Sequence, residues 1–402
     1  MADRHPPFAS DLPMSLPLLA LFLATFSIGT TEFVVAGLLP QVAGDLGVDI
    51  PAAGYLISGY ALAVAIGGPI MGILTSRLER KSALVVLMGV FIAGNALCGL
   101  APSYGWLMFA RIVIALSHGA AFGIAVIAAG SLVPSARHAS AIALVVGGIT
   151  VANVLGVPAG TAIGSAFGWR AAFWAIALLG LVAAVFVAIW LPRSPPSEEV
   201  TPGLGLQIRV LGKPGVYLQM LIIVLGSAAF FSMFSYIAPV LLHVVGLAPH
   251  ALPWVLSVLG VGAVIGNFAG GRFADWKLMP AIVGIFALQT ACYLLLLVLL
   301  PYFAPAFIVL FLWSLANFSF SAPCQSRIMK GAREAPRLAA SLLSTVFNLG
   351  ISIGAAIGAQ ALAHGLPYGQ LPWIGVALIV PALVLSVLAL LLDRRDEVAA
   401  KA

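Results

Sequence analysis

PLLALFLATFSIGTTEFVVAGLLP, residues Pro17 to Pro40, holds a single ionisable side chain, Glu32. A helix needs about 20 apolar residues to cross a bilayer, and this stretch has the length and the composition. It is too long for a signal-peptide core, and no small-residue cleavage site follows it. It therefore reads as a first membrane-spanning helix. A carboxylate at that depth is costly and by default marks a functional site.

The rest of the chain agrees with a lipid solvent. Of its 402 residues 62% are hydrophobic and 8% charged, and the mean hydropathy is +1.13. A soluble domain carries about 25% charged residues. The net charge of +6 is scattered over loops, with no basic stripe interleaved with aromatics, which excludes a nucleic-acid partner. Cys98, Cys292 and Cys324 fall inside apolar segments at no metal-site spacing, so they read as small packing residues and no metal is expected.

Twelve spanning stretches can be drawn: 16–39, 51–74, 82–101, 104–132, 139–165, 170–191, 216–241, 252–273, 279–300, 303–325, 338–363 and 371–392. Breaks such as Pro102-Ser103, Pro134-Ser135 and Pro301 separate them. The longest polar break, 192–215, divides six stretches (16–191) from six (216–392), with terminal tails at 1–15 and 393–402. With the N-terminus placed in the cytoplasm, nearly all Lys and Arg lie in cytoplasmic segments and only Arg170 lies outside, as the positive-inside rule requires. Both termini are then expected in the cytoplasm.

The halves repeat. Gly156, Gly160 and Gly164 follow Asn153 in the fifth stretch; Gly350, Gly354 and Gly358 follow Asn348 in the eleventh. Gly67, Gly72, Ser76 and Arg77 correspond to Gly266, Gly271, Asp275 and Lys277. Parallel repeats of six helices are a known transporter architecture. Small residues four apart let helix backbones approach closely. Because four matched helices carry such stripes, they are expected at a sliding or rocking interface between the halves.

These features resemble the major facilitator superfamily over almost the whole chain. Within it they resemble the twelve-helix drug:proton antiporters, near arabinose-efflux-like, chloramphenicol-resistance and purine-nucleoside-efflux permeases. The resemblance rests on Thr31-Glu32-Phe33-Val34 with Gly37-Leu38-Leu39-Pro40, and on Arg111 with Ser117-His118-Gly119 and Phe122-Gly123. Leu155-Gly156-Val157-Pro158-Ala159-Gly160 and Gly168-Trp169-Arg170 with Phe173-Trp174 complete it. It implies an all-α fold of twelve helices in two pseudo-symmetric bundles, in the inner membrane of a bacterium. It also implies that the first and fourth helices are neighbours lining a cavity. One motif departs: Gly72-Ile73-Leu74-Thr75-Ser76-Arg77-Leu78-Glu79-Arg80-Lys81 has Ser76 where the family has Asp and Glu79 where it has Gly. Asp275 keeps the acid in the second half. Gating and interdomain contact are expected at Gly72, Ser76, Arg77, Arg80, Gly156, Pro158, Gly160, Gly271 and Asp275.

At about 1.5 Å per residue, Glu32 lies roughly 12 Å below the outer end of its helix and Arg111 roughly 10 Å below the start of its own. Burial disfavours a charged carboxylate and a nearby guanidinium favours it, so a change of water access can move a proton. Glu32, Arg111 and His118 are the candidate proton-coupling groups, Glu32 also touching substrate. The amides Asn153 and Asn317 and the aromatics Phe230, Phe234, Tyr236 and Trp313 are candidate substrate contacts, forming an adaptable, partly apolar wall. Arg170 is expected to anchor an outer loop.

The expected activity is proton-coupled efflux of a small, partly apolar solute by alternating access, with sugar or nucleoside export as the alternative. Export rests on the motif around Pro158. No phosphate-binding Gly-rich loop is present, and no loop gathers catalytic or metal-binding groups, which disfavours an ATP-driven pump or a membrane enzyme. No cofactor is expected beyond the proton gradient; the partners are lipid, protons and a small solute, and the chain reads as a monomer.

Overall fold

A computed structural model describes residues 15–134, 137–193, 212–331 and 336–399. Among these residues every regular element is helical. The linker at 192–215 lies mostly outside them.

The first half comprises α1 (Leu16–Leu46), α2 (Ile50–Thr75), α3 (Arg80–Gly99), α4 (Tyr104–Ser131), α5 (His138–Val151) continued by a π turn Ala152–Gly156 into α6 (Val157–Phe167), and α7 (Trp169–Trp190). The second comprises α8 (Pro214–Phe234) with α9 (Ile237–His243), α10 (Leu252–Leu299), α11 (Phe303–Ser319) with α12 (Ser321–Gly331), α13 (Pro336–Ala363) and α14 (Leu371–Ala399). Local chemistry sets several ends. Gly47 stops α1 in the left-handed region at φ 63°. Asp49 starts α2 by accepting the Ala52 N–H at 2.7 Å.

α10 is 48 residues long, about 72 Å at 1.5 Å per residue, more than twice the roughly 30 Å hydrocarbon core. At Lys277 its backbone leaves helical geometry (φ −149°, ψ 95°), between Asp275 and Pro280. It is two spans joined at a charged turn, and the crossings among the described residues number twelve, six in each bundle. The face of the molecule that holds Arg77, Arg80, Lys213, Arg272, Lys277 and Arg327 is called the basic face below.

Three expected single spans are interrupted, and the reason is the same in each. Proline has no N–H for the carbonyl four residues earlier, and its ring crowds that carbonyl. Pro158 frees Val154, and the helix relaxes into the π turn, where the Val157 N–H reaches Ala152. Pro239 frees Ser235, where α8 ends; Pro323 frees Ser319, where α11 ends. Beyond the expected span end at residue 392, α14 runs on to Ala399. There Asp393 accepts two bonds from Arg327, at 2.5 and 3.0 Å.

The apolar exterior is that of a chain dissolved in lipid: α7 turns Trp174, Leu178, Leu181, Val185 and Ile189 outward. Inside, the glycine stripes pack within bundles, which corrects the expectation that they lie between the halves. Gly156, Gly160 and Gly164 meet Thr30, Val34 and Leu38 of α1. Gly350, Gly354 and Gly358 meet Ser227, Ala228 and Ser232 of α8. Gly262, Gly266 and Gly270 lie against Phe311, Leu315 and Ser319 of α11. Each position is a close approach to another helix of the same half. The four helices that carry the stripes do meet between the halves, but through other residues: α2 packs on α13, and α5, the π turn and α6 pack on α10. Arg170 ties the face opposite the basic one, bonding Asp45 at 2.5 Å and the Ala101 carbonyl at 2.7 Å.

Candidate functional site

Four helices of the first half converge at mid-depth. Glu32 of α1 is 8% exposed, and Arg111 of α4 is fully buried. They do not form the direct ion pair that their matched depths suggest. Arg111 Nη1 donates to the Thr31 carbonyl at 2.7 Å, and its guanidinium lies 3.9 Å over the ring of Tyr60 from α2. Its Nε and Nη2 have no hydrogen-bond partner among the described residues. The ring nitrogen facing the acid is His118 Nε2, 3.9 Å from Glu32 Oε2. His118 Nδ1 is 3.0 Å from the Tyr60 hydroxyl. Thr31 Oγ1 donates to Asn95 of α3 at 2.7 Å, and Asn95 Nδ2 donates to the Phe91 carbonyl at 2.9 Å.

This arrangement leaves the acid without a fixed donor among the described residues. Among the described residues the Glu32 carboxylate accepts no hydrogen bond, whereas Arg111, which cannot lose its proton in a protein, is held on a carbonyl and a ring face. A positive charge is therefore fixed beside a buried carboxyl group. Tyr60 and Asn95 were not among the sequence candidates. The available signal was a polar group in the middle of an apolar stretch.

Next to Glu32, Phe33 points across the molecule. It stacks on Phe231 (centroids 6.0 Å) and meets Phe234 edge-on (6.4 Å). Behind them Phe230 stacks on Trp313 at 4.3 Å and on Phe234 at 4.9 Å. A small pocket between the halves is lined by Asn153, Val157, Phe234, Gly260, Ser314 and Phe318. Of the candidate substrate contacts, Asn153 and Phe234 reach this pocket. Phe230 and Trp313 back it from within the bundle, and Asn317 accepts from Gln289 Nε2 at 3.3 Å. Tyr236 is elsewhere: its hydroxyl donates to the Ala355 carbonyl at 2.8 Å, and its ring fills the space left by Gly54 of α2. It seals the halves and does not line the pocket, because the helix break at Ser235 turns it away from Phe234.

The candidate gating residues scatter. Among the described residues, no atom of another element comes within 4 Å of where a Cβ would stand at Gly72 or Gly271. Ser76 caps its own helix, donating to the Ile73 carbonyl at 2.7 Å. Arg77 and Asp275 are exposed and Arg80 is half-buried on the basic face; no ion pair joins the three among the described residues. Gly156, Gly160 and Pro158 act on α1 and on the π turn. The contact between halves falls to residues that the stripe pattern missed. Gly260 of α10 lies so close to the Asn153 carbonyl that any Cβ there would overlap it. Tyr55 accepts from Gln360 Nε2 at 2.6 Å, Ser58 Oγ donates to the Ser352 carbonyl at 2.9 Å, and Asn267 Nδ2 donates to Thr150 Oγ1 at 3.0 Å.

Known proteins share this chain's sequence and its fold. The profile of the Major Facilitator Superfamily matches residues 21–355. The inner membrane transport protein YdhP of Escherichia coli K12 is 39% identical over 378 residues, covering 93% of this chain and 96% of its own. A chloramphenicol resistance protein of Streptomyces lividans is 31% identical over 353 residues, covering 87% and 90%. A bacterial homologue of the human lysosomal transporter Spinster, in an inward-facing and unoccupied conformation, superposes with a TM-score of 0.69 at 18% identity, covering 93% of this chain and 94% of that one. The human organic anion transporter MFSD10 gives 0.73 at 15%, covering 94% and 100%. With a match along most of its sequence and twelve spans in two repeated bundles, the chain belongs to the major facilitator superfamily of multi-pass membrane transporters and is not an enzyme.

Proposed function

We propose that this transporter exports a small, uncharged or weakly cationic, partly apolar solute from a bacterial cell in exchange for protons, using no cofactor and working as a monomer. The observation that carries this reading is the juxtaposition at α1. Glu32, a buried acid with no hydrogen bond among the described residues, faces His118 and Arg111, and its neighbour Phe33 closes onto the aromatic wall of the other half. Protonation of Glu32 and occupancy of the aromatic pocket therefore share one helix turn. Water reaching Glu32 from one side and then the other loads and unloads the proton, and a solute competes for the same space. The basic face is assigned to the cytoplasm by its Lys and Arg content. The relative named a chloramphenicol resistance protein supports an exported, drug-like solute. The amides Asn153, Asn317 and Gln289 favour a second reading, a hydroxylated or nitrogen-rich solute such as a sugar or nucleoside.

Everted membrane vesicles with an acidified lumen test both. Addition of chloramphenicol is expected to release luminal protons from vesicles holding this protein and not from vesicles holding Glu32→Gln. A response to arabinose or a nucleoside alone would move the assignment to the second reading. Equal responses from both proteins would end the role of Glu32 in coupling.

A further inference from the structure

Tyr60 is 1% exposed, and a buried hydroxyl must spend its proton on an acceptor. The partner of its oxygen among the described residues is His118 Nδ1, 3.0 Å away. Arg111, above the ring, carries donors only. The hydroxyl therefore donates to Nδ1, and a neutral imidazole so bonded carries its own proton on Nε2. Nε2 is the nitrogen 3.9 Å from Glu32 Oε2. The same phenol ring supports the guanidinium at 3.9 Å from its centroid, a contact that desolvation strengthens. One side chain from α2 thus orients two basic groups of α4 toward an acid on α1. The ionisable groups around it are Glu32 from α1, Cys98 from α3, and Arg111 and His118 from α4.

We propose that Tyr60 is the positioning residue of the proton site, fixing His118 in the tautomer that directs an N–H at Glu32 and holding the Arg111 guanidinium flat beside them. This rests on the proton-coupled reading above for its purpose, though not for its geometry. In Tyr60→Phe the ring under Arg111 remains and Nδ1 loses its donor, so the imidazole is free to take either tautomer.

The test uses the full chain in lipid vesicles and needs no transported solute. Nitrogen-15 histidine spectra, with His118→Gln identifying the signal, are expected to show His118 protonated on Nε2 in the native protein and divided between tautomers in Tyr60→Phe. Infrared difference spectra follow the protonated carboxyl of Glu32, identified with Glu32→Gln. Its titration midpoint is expected to move by about half a pH unit or more in Tyr60→Phe, since an Nε2–H held toward the carboxylate favours its charged form and a divided tautomer removes part of that contact. A native His118 protonated on Nδ1 overturns the proposal, as does an unchanged tautomer or an unmoved midpoint in Tyr60→Phe. A spectrum with no titrating carboxyl that Glu32→Gln removes overturns the proton-coupled reading, while the nitrogen spectra still decide whether Tyr60 holds His118.

Discussion

Single residues do different work here according to which neighbour lies across from them, and two glycines on one helix illustrate it. Gly266 and Gly260 both lie on α10. A Cβ at Gly266 would overlap the Leu315 carbonyl of α11 within the second bundle. A Cβ at Gly260 would overlap the Asn153 carbonyl of the first. Backbone atoms cannot swing aside as a side-chain tip can, and overpacking of this kind costs about 1–3 kcal/mol. Gly266→Ala is therefore expected to lower the thermal unfolding temperature of the purified protein. Gly260→Ala is expected to leave it nearly unchanged and to widen the α5–α10 distance measured between paired spin labels. Equal loss of stability in both would refute the separate roles. Gly266 belongs to a stripe that four-residue spacing reveals, whereas Gly260 lies outside that stripe, and spacing does not say that it faces the other half.

At the scale of elements, prolines decide where the helices bend and which carbonyls are left open. Pro69 in α2 cannot bond the Ala65 carbonyl. That carbonyl is taken by Thr345 Oγ1 of α13, 3.2 Å away in the other half. The helix defect of one bundle is thus an acceptor for the next. Thr345→Val leaves the carbonyl without its partner, while Pro69→Ala supplies one from within α2. The double variant is therefore expected to be milder than the sum of the two single changes, with a coupling of about 0.5–1.5 kcal/mol, the usual net value of a hydrogen bond. Denaturant titration of the four proteins measures it, and strict additivity would count against the link. The prolines, the breaks at 192–215 and the alternation of basic loops were all legible along the chain, because each acts within about one helical turn. The π turn at Ala152–Gly156 and the ends of α8 and α11 follow from them once the freed carbonyl is identified.

Across the whole molecule, the described contacts between halves run from mid-depth to the face opposite the basic one. Tyr55–Gln360, Ser58–Ser352 and Tyr236 against Gly54 form a seal there. Toward the basic face Gly72 and Gly271 meet no other helix among the described residues. Weakening the seal is expected to open that face. A cysteine in place of Ser352 should react several-fold faster with a membrane-impermeant maleimide when Tyr55→Phe and Gln360→Leu are combined, since the one hydrogen bond that both changes remove holds the closed form by roughly 1 kcal/mol. An unchanged labelling rate would show that the seal lies elsewhere.

Apolar length, loop charge and the repeat of glycines, read from the sequence by itself, determined the twelve spans, the two halves and the presence of one acid among lipid-soluble neighbours. These are properties of residues near one another in the chain, and lipid leaves a polypeptide few ways to satisfy its backbone. Tertiary structure alone decided that Arg111 rests on Tyr60 and the Thr31 carbonyl, that His118 faces Glu32, that Tyr236 belongs to the seal, and that the glycine stripes close each bundle from within. Those outcomes depend on the rotation and tilt of whole helices. Packing against neighbouring helices sets both, and no local pattern in a sequence of Leu, Ala and Gly records them.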